Sequence, residues 1–258
     1  MEEIKIIFLA IVQGITEFLP ISSSGHIVLF ENIFGSADGN IILEVVLHFG
    51  TLISILIFFK KDIFKIINGA LKGEKDSIRY GLQVVIATMP VVVFILLTKI
   101  FDLKIESLFV LKTLMFTYLA NSIILYITKG SEGIKNNITY SLAIVMGISQ
   151  VFALLPGISR AGITICTALL FGFNQKSAAK FSFFMAIPAL LGALIFTMGD
   201  IYTQSEIEVH SLILGFLFSM ITGLLALKLL FRILENQRLW MFSFYSILLW
   251  LIVILINI

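Results

Sequence analysis

The sequence predicts an all-α integral membrane protein, an inverted-topology repeat of six transmembrane helices and two re-entrant helical hairpins that meet near mid-membrane. Three observations carry that prediction. Hydrophobic residues make up 59% of the 258 and charged residues only 13%, with a mean hydropathy of +1.06, whereas a soluble domain runs near half apolar and a quarter charged. Several apolar segments are long enough to cross a bilayer. Two polar clusters, Gln13-Gly-Ile-Thr-Glu17-Phe-Leu-Pro20-Ile-Ser22-Ser23-Ser24-Gly25-His26 and Gln150-Val-Phe-Ala-Leu-Leu-Pro156-Gly157-Ile-Ser159-Arg160-Ala-Gly162-Ile-Thr164, interrupt apolar runs that are too short to do so.

A spanning helix needs about 20 mainly apolar residues, and segments 42–59, 80–98, 108–128, 177–198, 211–230 and 239–257 qualify. The remaining apolar pieces, 4–19 with 25–34 and 139–155 with 161–173, are each nearer half that length and are joined in pairs through the clusters. Gly, Pro and Ser break a helix where breaks are tolerated at membrane depth, at a tip buried in protein. The order is hairpin and three spans, twice, with the clusters offset by about half the chain, the sign of an internal repeat. Three crossings are an odd number and a hairpin returns to its own side, so the second copy stands upside down relative to the first. The chain is therefore expected to be a single membrane domain over 1–258, with repeat 1 at about 1–130 and repeat 2 at about 135–258. The leading residues are acidic, no small-residue cleavage pattern follows, and Gln13 and Glu17 interrupt the apolar run, so the N-terminal segment reads as mature chain rather than signal peptide. The lone Cys166 excludes an intramolecular disulfide and reads as a small core residue.

Basic residues set the orientation, because cytoplasmic loops carry the excess of Lys and Arg. Thirteen, from Lys60 through Arg238, fall in one set of loops; Lys5, Lys99, Lys104 and Lys112 fall in the other, whose longest loop holds Asp200, Glu206 and Glu208 without a base. The first hairpin then enters from outside and the second from inside, which lets their tips meet where inverted-repeat proteins build sites. The Lys60–Arg79 stretch reads as a solvated cytoplasmic connection with some attraction to anionic lipid.

Charges at membrane depth mark function. Gln13 and Glu17, four apart, share a helix face, and such oxygens suit a hard divalent cation, Mg2+ or Ca2+, completed by water and phosphate. Ser22, Ser23, Ser24 and Gly25 open the returning half-helix, a composition that caps a helix and favours a phosphate oxygen. One of these hydroxyls is a candidate nucleophile, and His26 is the candidate base. In the second cluster Gly157, Ser159 and Thr164 surround Arg160, an always-charged bidentate donor that needs an anion: Glu17 at rest, a phosphate when substrate is bound. No Cys/His set suggests zinc, no Walker-type loop is present, and no basic surface with interleaved aromatics suggests nucleic acid.

At these residues the chain resembles the undecaprenyl-diphosphate phosphatases, also called the bacitracin-resistance family. Gln13 to His26 looks like the family's Glu/Gln-x-x-x-Glu motif followed by a serine cluster, Gly and His. Pro156-Gly157-Ile158-Ser159-Arg160-Ala161-Gly162-Ile163-Thr164 is similar to its Pro-Gly-x-Ser-Arg-Ser-x-x-Thr. Glu44 to Thr51 and Phe181 to Pro188 resemble further signatures. Ala161 stands where the family usually has serine, so a hydroxyl there is not required, and Gln13 rather than Glu weakens a two-carboxylate metal site. The resemblance implies hydrolysis of undecaprenyl diphosphate, a polyprenyl lipid, to the monophosphate and inorganic phosphate. It further implies a divalent cation, an outer-face site in the bacterial cytoplasmic membrane, a role in cell-wall synthesis and bacitracin resistance. By analogy it makes Ser23 the nucleophile and His26 its base. A lipid flippase or secondary transporter is the alternative that the same architecture allows; membrane lipids are partners under either reading.

Overall fold

The computed structural model describes residues 2–34, 41–131, 133–198 and 208–257. Within them every regular element is helical: α1 Glu2–Phe18, α2 Ser23–Phe34, α3 Ile41–Phe58, α4 Lys60–Leu71, α5 Lys75–Ile100, α6 Leu111–Tyr126, α7 Tyr140–Phe152, α8 Arg160–Leu170, α9 Gln175–Met198, α10 Val209–Glu235 and α11 Phe242–Asn257. Short 3-10 turns, Ile105–Leu108 and Leu239–Met241, precede α6 and α11. Among the described residues four spans are long and apolar enough to cross a membrane, Lys75–Ile100, Gln175–Ile195, Val209–Glu235 and Leu239–Asn257. A fifth is counted if α3 and α4, bent by 71° at Phe59, are taken together. The chain is thus an all-α, multi-pass membrane protein.

Two expected elements differ. The segment expected to span at 108–128 holds α6, of 16 residues, because the 3-10 turn and an extended Val110 take up its beginning. The Lys60–Arg79 connection is itself helical: α4 turns off α3 and packs on α5, Gly69 lying against Ser77 and Glu74. Its Phe64, Ile67 and Leu71 remain exposed beside Lys61, Lys65 and Lys72, an amphipathic face of the kind that lies in a membrane interface. The acidic loop carrying Asp200 and Glu206 lies outside the described residues.

Small residues bring the helices together, as expected where lipid removes the hydrophobic drive between spans. A Cβ on Gly14 would stand 2.6 Å from Ser219 O, so α1 lies directly on α10; a Cβ on Gly50 would meet Phe216 O at 2.7 Å, placing α3 on the same helix. Gly147 plays this part between α7 and α5, against the carbonyl of Ala87. Rings fill the remaining core: Phe183 meets Phe18 edge-on at 5.7 Å between centroids, and Phe59 packs on Phe231 at 5.6 Å. Cys166 is fully buried, a core residue as its surroundings require.

Candidate active site

Two helix breaks build the site. After α1, Pro20 removes a backbone donor and disfavours helical Leu19, and Ser22 takes a left-handed φ of 66° before α2 begins. After α7, Gly157 has φ 95° and Ser159 caps α8, its Oγ accepting from Gly162 N at 3.1 Å. The Ser22 Oγ accepts from Gly25 N at 3.2 Å in the same manner. Gln13 and Gln150 stand at equal distances ahead of these two capping serines. A Cβ on Gly157 would run into the Thr117 hydroxyl as well as forcing the φ, so two independent constraints keep glycine there.

The breaks touch. Gly157 N donates to Ser22 Oγ at 3.0 Å, and Ser159 Oγ reaches Leu19 O at 3.4 Å. Asn121 of α6 clamps both: its Oδ1 accepts from Ser159 N at 3.0 Å, while its Nδ2 donates to Pro20 O at 3.1 Å and to Ser246 Oγ at 2.9 Å. Asn121 is fully buried with both polar atoms paired, so it fixes the geometry of the tips without leaving an orphan.

At the meeting point the Glu17 carboxylate gathers charge and hydroxyl. Arg160 Nη2 donates to its Oε1 at 2.6 Å; Ser23 Oγ donates to Oε2 at 2.8 Å and Gln13 Nε2 at 3.2 Å. Ser23 and Arg160 are each the residue after a capping serine, so the two half-helices present their first residues to one carboxylate. His48 of α3 joins them. Its Nδ1 accepts from Gln13 Nε2 at 2.9 Å and lies 3.9 Å from Glu17 Oε2.

His26 lies elsewhere than the sequence suggested. Its Nδ1 sits 2.7 Å from Ser22 O, which can only accept, so Nδ1 carries the proton and Nε2 accepts from the Tyr245 hydroxyl at 2.8 Å. The ring bonds back to the carbonyl of Ser22, the residue that precedes its helix, and stacks on Tyr245; the Ser23 hydroxyl meanwhile belongs to Glu17. Ser159 and Thr164 are also engaged, Ser159 as a cap and Thr164 donating to Arg160 O at 2.7 Å and bonded to Ser182 at 2.6 Å. Both are buried and hold the backbone that carries Arg160. Ser24 bonds Ser22 Oγ at 3.3 Å, and a side chain on Gly25 would strike the Tyr118 hydroxyl. Asn121, Tyr245 and His48 escaped the sequence reading: the first two lie in apolar spans, and His48, within a quoted signature, had no partner visible in sequence.

A groove of about 760 Å3 passes His26, walled by Phe8, Val12, Ile15, Phe30 and Phe242, with Arg238 at its rim. A smaller cavity of about 160 Å3 lies against Arg160.

Fold and site define a multi-pass membrane protein with a buried polar centre of paired carboxylate and guanidinium, with a serine, near an apolar groove. Residues 6–252 match the family described as bacitracin resistance protein BacA, and the chain belongs to it. Undecaprenyl-diphosphatase of Methanobrevibacter smithii is 35% identical over 99% of this chain and 97% of its own length. The proteins of that name from Halothermothrix orenii and Thermosipho africanus are 36% and 39% identical, over 99% and 94% of this chain and 97% and 95% of theirs.

Proposed function

We propose that the chain hydrolyses undecaprenyl diphosphate to undecaprenyl phosphate and inorganic phosphate, and thereby confers bacitracin resistance. The single observation that carries this reading is the convergence of Glu17, Ser23 and Arg160 from two broken helices, in a family whose relatives bear that enzyme's name. Catalysis of phosphoryl transfer is mostly positioning and charge neutralisation, and these groups supply both. Substrate phosphate replaces Glu17 on the Arg160 fork. Ser23 Oγ attacks the terminal phosphorus, passing its proton to Glu17 Oε2, and the bridging oxygen leaves with the prenyl monophosphate. Water then opens the phosphoserine, with His26 Nε2 taking the water's proton once Tyr245 has turned away and Glu17 returning its proton to the departing Ser23 Oγ. The rival route, direct attack by water with Ser23 only donating a hydrogen bond, is separated by the Ser23 variant below.

Gln13 and Glu17 fit a divalent cation as oxygen donors, since Gln13 Oε1 is buried without a partner beside the carboxylate. Bound there, Mg2+ or Ca2+ would neutralise phosphate charge. Among the described residues no cluster of three or more His, Cys, Asp and Glu is present, so phosphate and water would complete the shell.

The inverted repeat belongs to this reading. It is supported by α1 lying on α10 as α7 lies on α5, and by the matching caps at Ser22 and Ser159. The distribution of Lys and Arg supports a site open to the outer face of the bacterial cytoplasmic membrane. Purified protein given undecaprenyl diphosphate should release inorganic phosphate, less so with a chelator; binding of the lipid without release would favour transport instead.

A further inference from the structure

One buried polar side chain has no task in the scheme above. Gln150, in the last turn of α7, is 3% exposed, and neither its Oε1 nor its Nε2 has a hydrogen-bond partner. Buried amides are almost always satisfied, so an orphan of this kind calls for an explanation. Its surroundings offer one. Gln150 and Arg160 are the polar residues lining the cavity of about 160 Å3 between α5, α7 and α9, whose other walls, Val91, Ile95, Leu154, Pro188 and Leu190 among them, are apolar. That volume equals about five water molecules in the liquid, room for a phosphate group and not for a polyprenyl tail, which the larger groove suits better. Arg160 commits one of its N–H groups to Glu17 at 2.6 Å, and a guanidinium has five.

Comparison with Gln13 sharpens the point. The two glutamines hold the same register to their capping serines, yet Gln13 Nε2 is consumed by Glu17 and His48, while Gln150 keeps both ends unpaired on a cavity that Arg160 also lines. A neutral donor can wait in an apolar cavity without a counter-ion, as a lysine could not. It can bond an anion that enters, and in the protein interior a bond to a charged group is strengthened.

We propose that Gln150 is a phosphate-binding residue: its Nε2–H donates to a non-bridging oxygen of the substrate diphosphate held on Arg160, in the cavity between α5, α7 and α9. The proposal deepens the hydrolase reading and rests on it. The test compares wild type with Gln150→Met and Gln150→Leu, apolar replacements that leave no orphan. Three quantities are measured: thermal unfolding in detergent, KM and kcat for undecaprenyl diphosphate, and affinity for methylenediphosphonate, which cannot be hydrolysed. Both variants should unfold at the wild-type temperature or above, because an unpaired amide has been removed. KM should rise about ten- to hundredfold, the loss of a hydrogen bond to a charged group, with weaker diphosphonate binding in parallel and a smaller change in kcat. Gln150→Glu should raise KM further by setting a carboxylate on Arg160 in competition with substrate. KM and diphosphonate affinity within twofold of wild type in either apolar variant overturn the proposal, as does a fall in unfolding temperature with binding unchanged. Wild-type protein that binds diphosphonate and releases no phosphate from the lipid would instead overturn the hydrolase reading, while the binding comparison still decides Gln150.

Discussion

Glu17→Gln should destabilise the empty protein and at the same time make it a better binder of phosphate. In the structure Glu17 is the counter-charge of Arg160 at 2.6 Å, with side-chain exposures of 7% and 16%, and it also accepts from Ser23 and Gln13. Neutralising it strands a largely buried guanidinium, and breaking a buried pair on one side costs about 3–5 kcal/mol. For a chain of roughly this size each kcal/mol moves Tm by about 2–4 °C, so a fall of about 6–20 °C is expected. Phosphate no longer competes with a carboxylate for Arg160 in the variant. Added at a hundred times its Kd it returns about 2.7 kcal/mol, more than half of a 4 kcal/mol loss. In the proposed scheme Glu17 Oε2 takes the Ser23 proton, and hydrolysis should drop about a hundred- to ten-thousandfold. Thermal scans of purified protein in detergent at one fixed rate, across a phosphate series, together with phosphate release, read all three effects. A variant that melts within about 2 °C of wild type, with equal phosphate shifts in both proteins, would refute the reasoning and reduce Glu17 to a bystander.

We predict further that Glu17→Gln raises the Mg2+ or Ca2+ concentration needed for half-maximal activity, and an unchanged metal dependence would remove Glu17 from the metal's ligands. Arg160→Lys should lose about ten- to hundredfold in kcat/KM, nearly as much as Arg160→Ala, because a point charge does not replace a planar fork; near-normal turnover would make Arg160 a general counter-charge. Ser23→Ala should abolish almost the whole chemical step if the serine is phosphorylated, whereas a lost donor costs only about a hundred- to thousandfold. Residual activity above about a hundredth of wild type would sink the covalent route, and rapid-quench detection of phosphoserine would complete the case. Tyr245→Phe removes the hydrogen bond that occupies His26 Nε2 and, by freeing that nitrogen, should leave turnover unchanged or raise it by up to about tenfold. A loss as deep as that of His26→Ala would show that Tyr245 touches the substrate itself.

The solvent, the helical class and the two places where helices break were legible in the residues alone. Each follows from local chemistry: composition fixes what the chain must bury, Pro20 and Gly157 fix where it cannot continue as helix, and the motifs from Gln13 to His26 and Pro156 to Thr164 carry the family. Even the Glu17–Arg160 pair was legible, because a guanidinium among apolar residues demands an anion and Glu17 is the carboxylate of the partner cluster. Which hydroxyl and which ring meet that pair depends on how the helices pack. Ser23 and His26 lie three apart on one helix, near enough for sequence spacing to join them, yet the ring turns to Ser22 O and Tyr245 while the hydroxyl turns to Glu17. Asn121, His48 and Tyr245 come from three separate apolar helices, and nothing in their local sequence says what they face. The orphan amide of Gln150 was equally invisible. Spacing along a helix tells which side chains share a face, but a hydrogen bond between segments a hundred residues apart depends on the approach of whole helices, set by packing that no local pattern encodes.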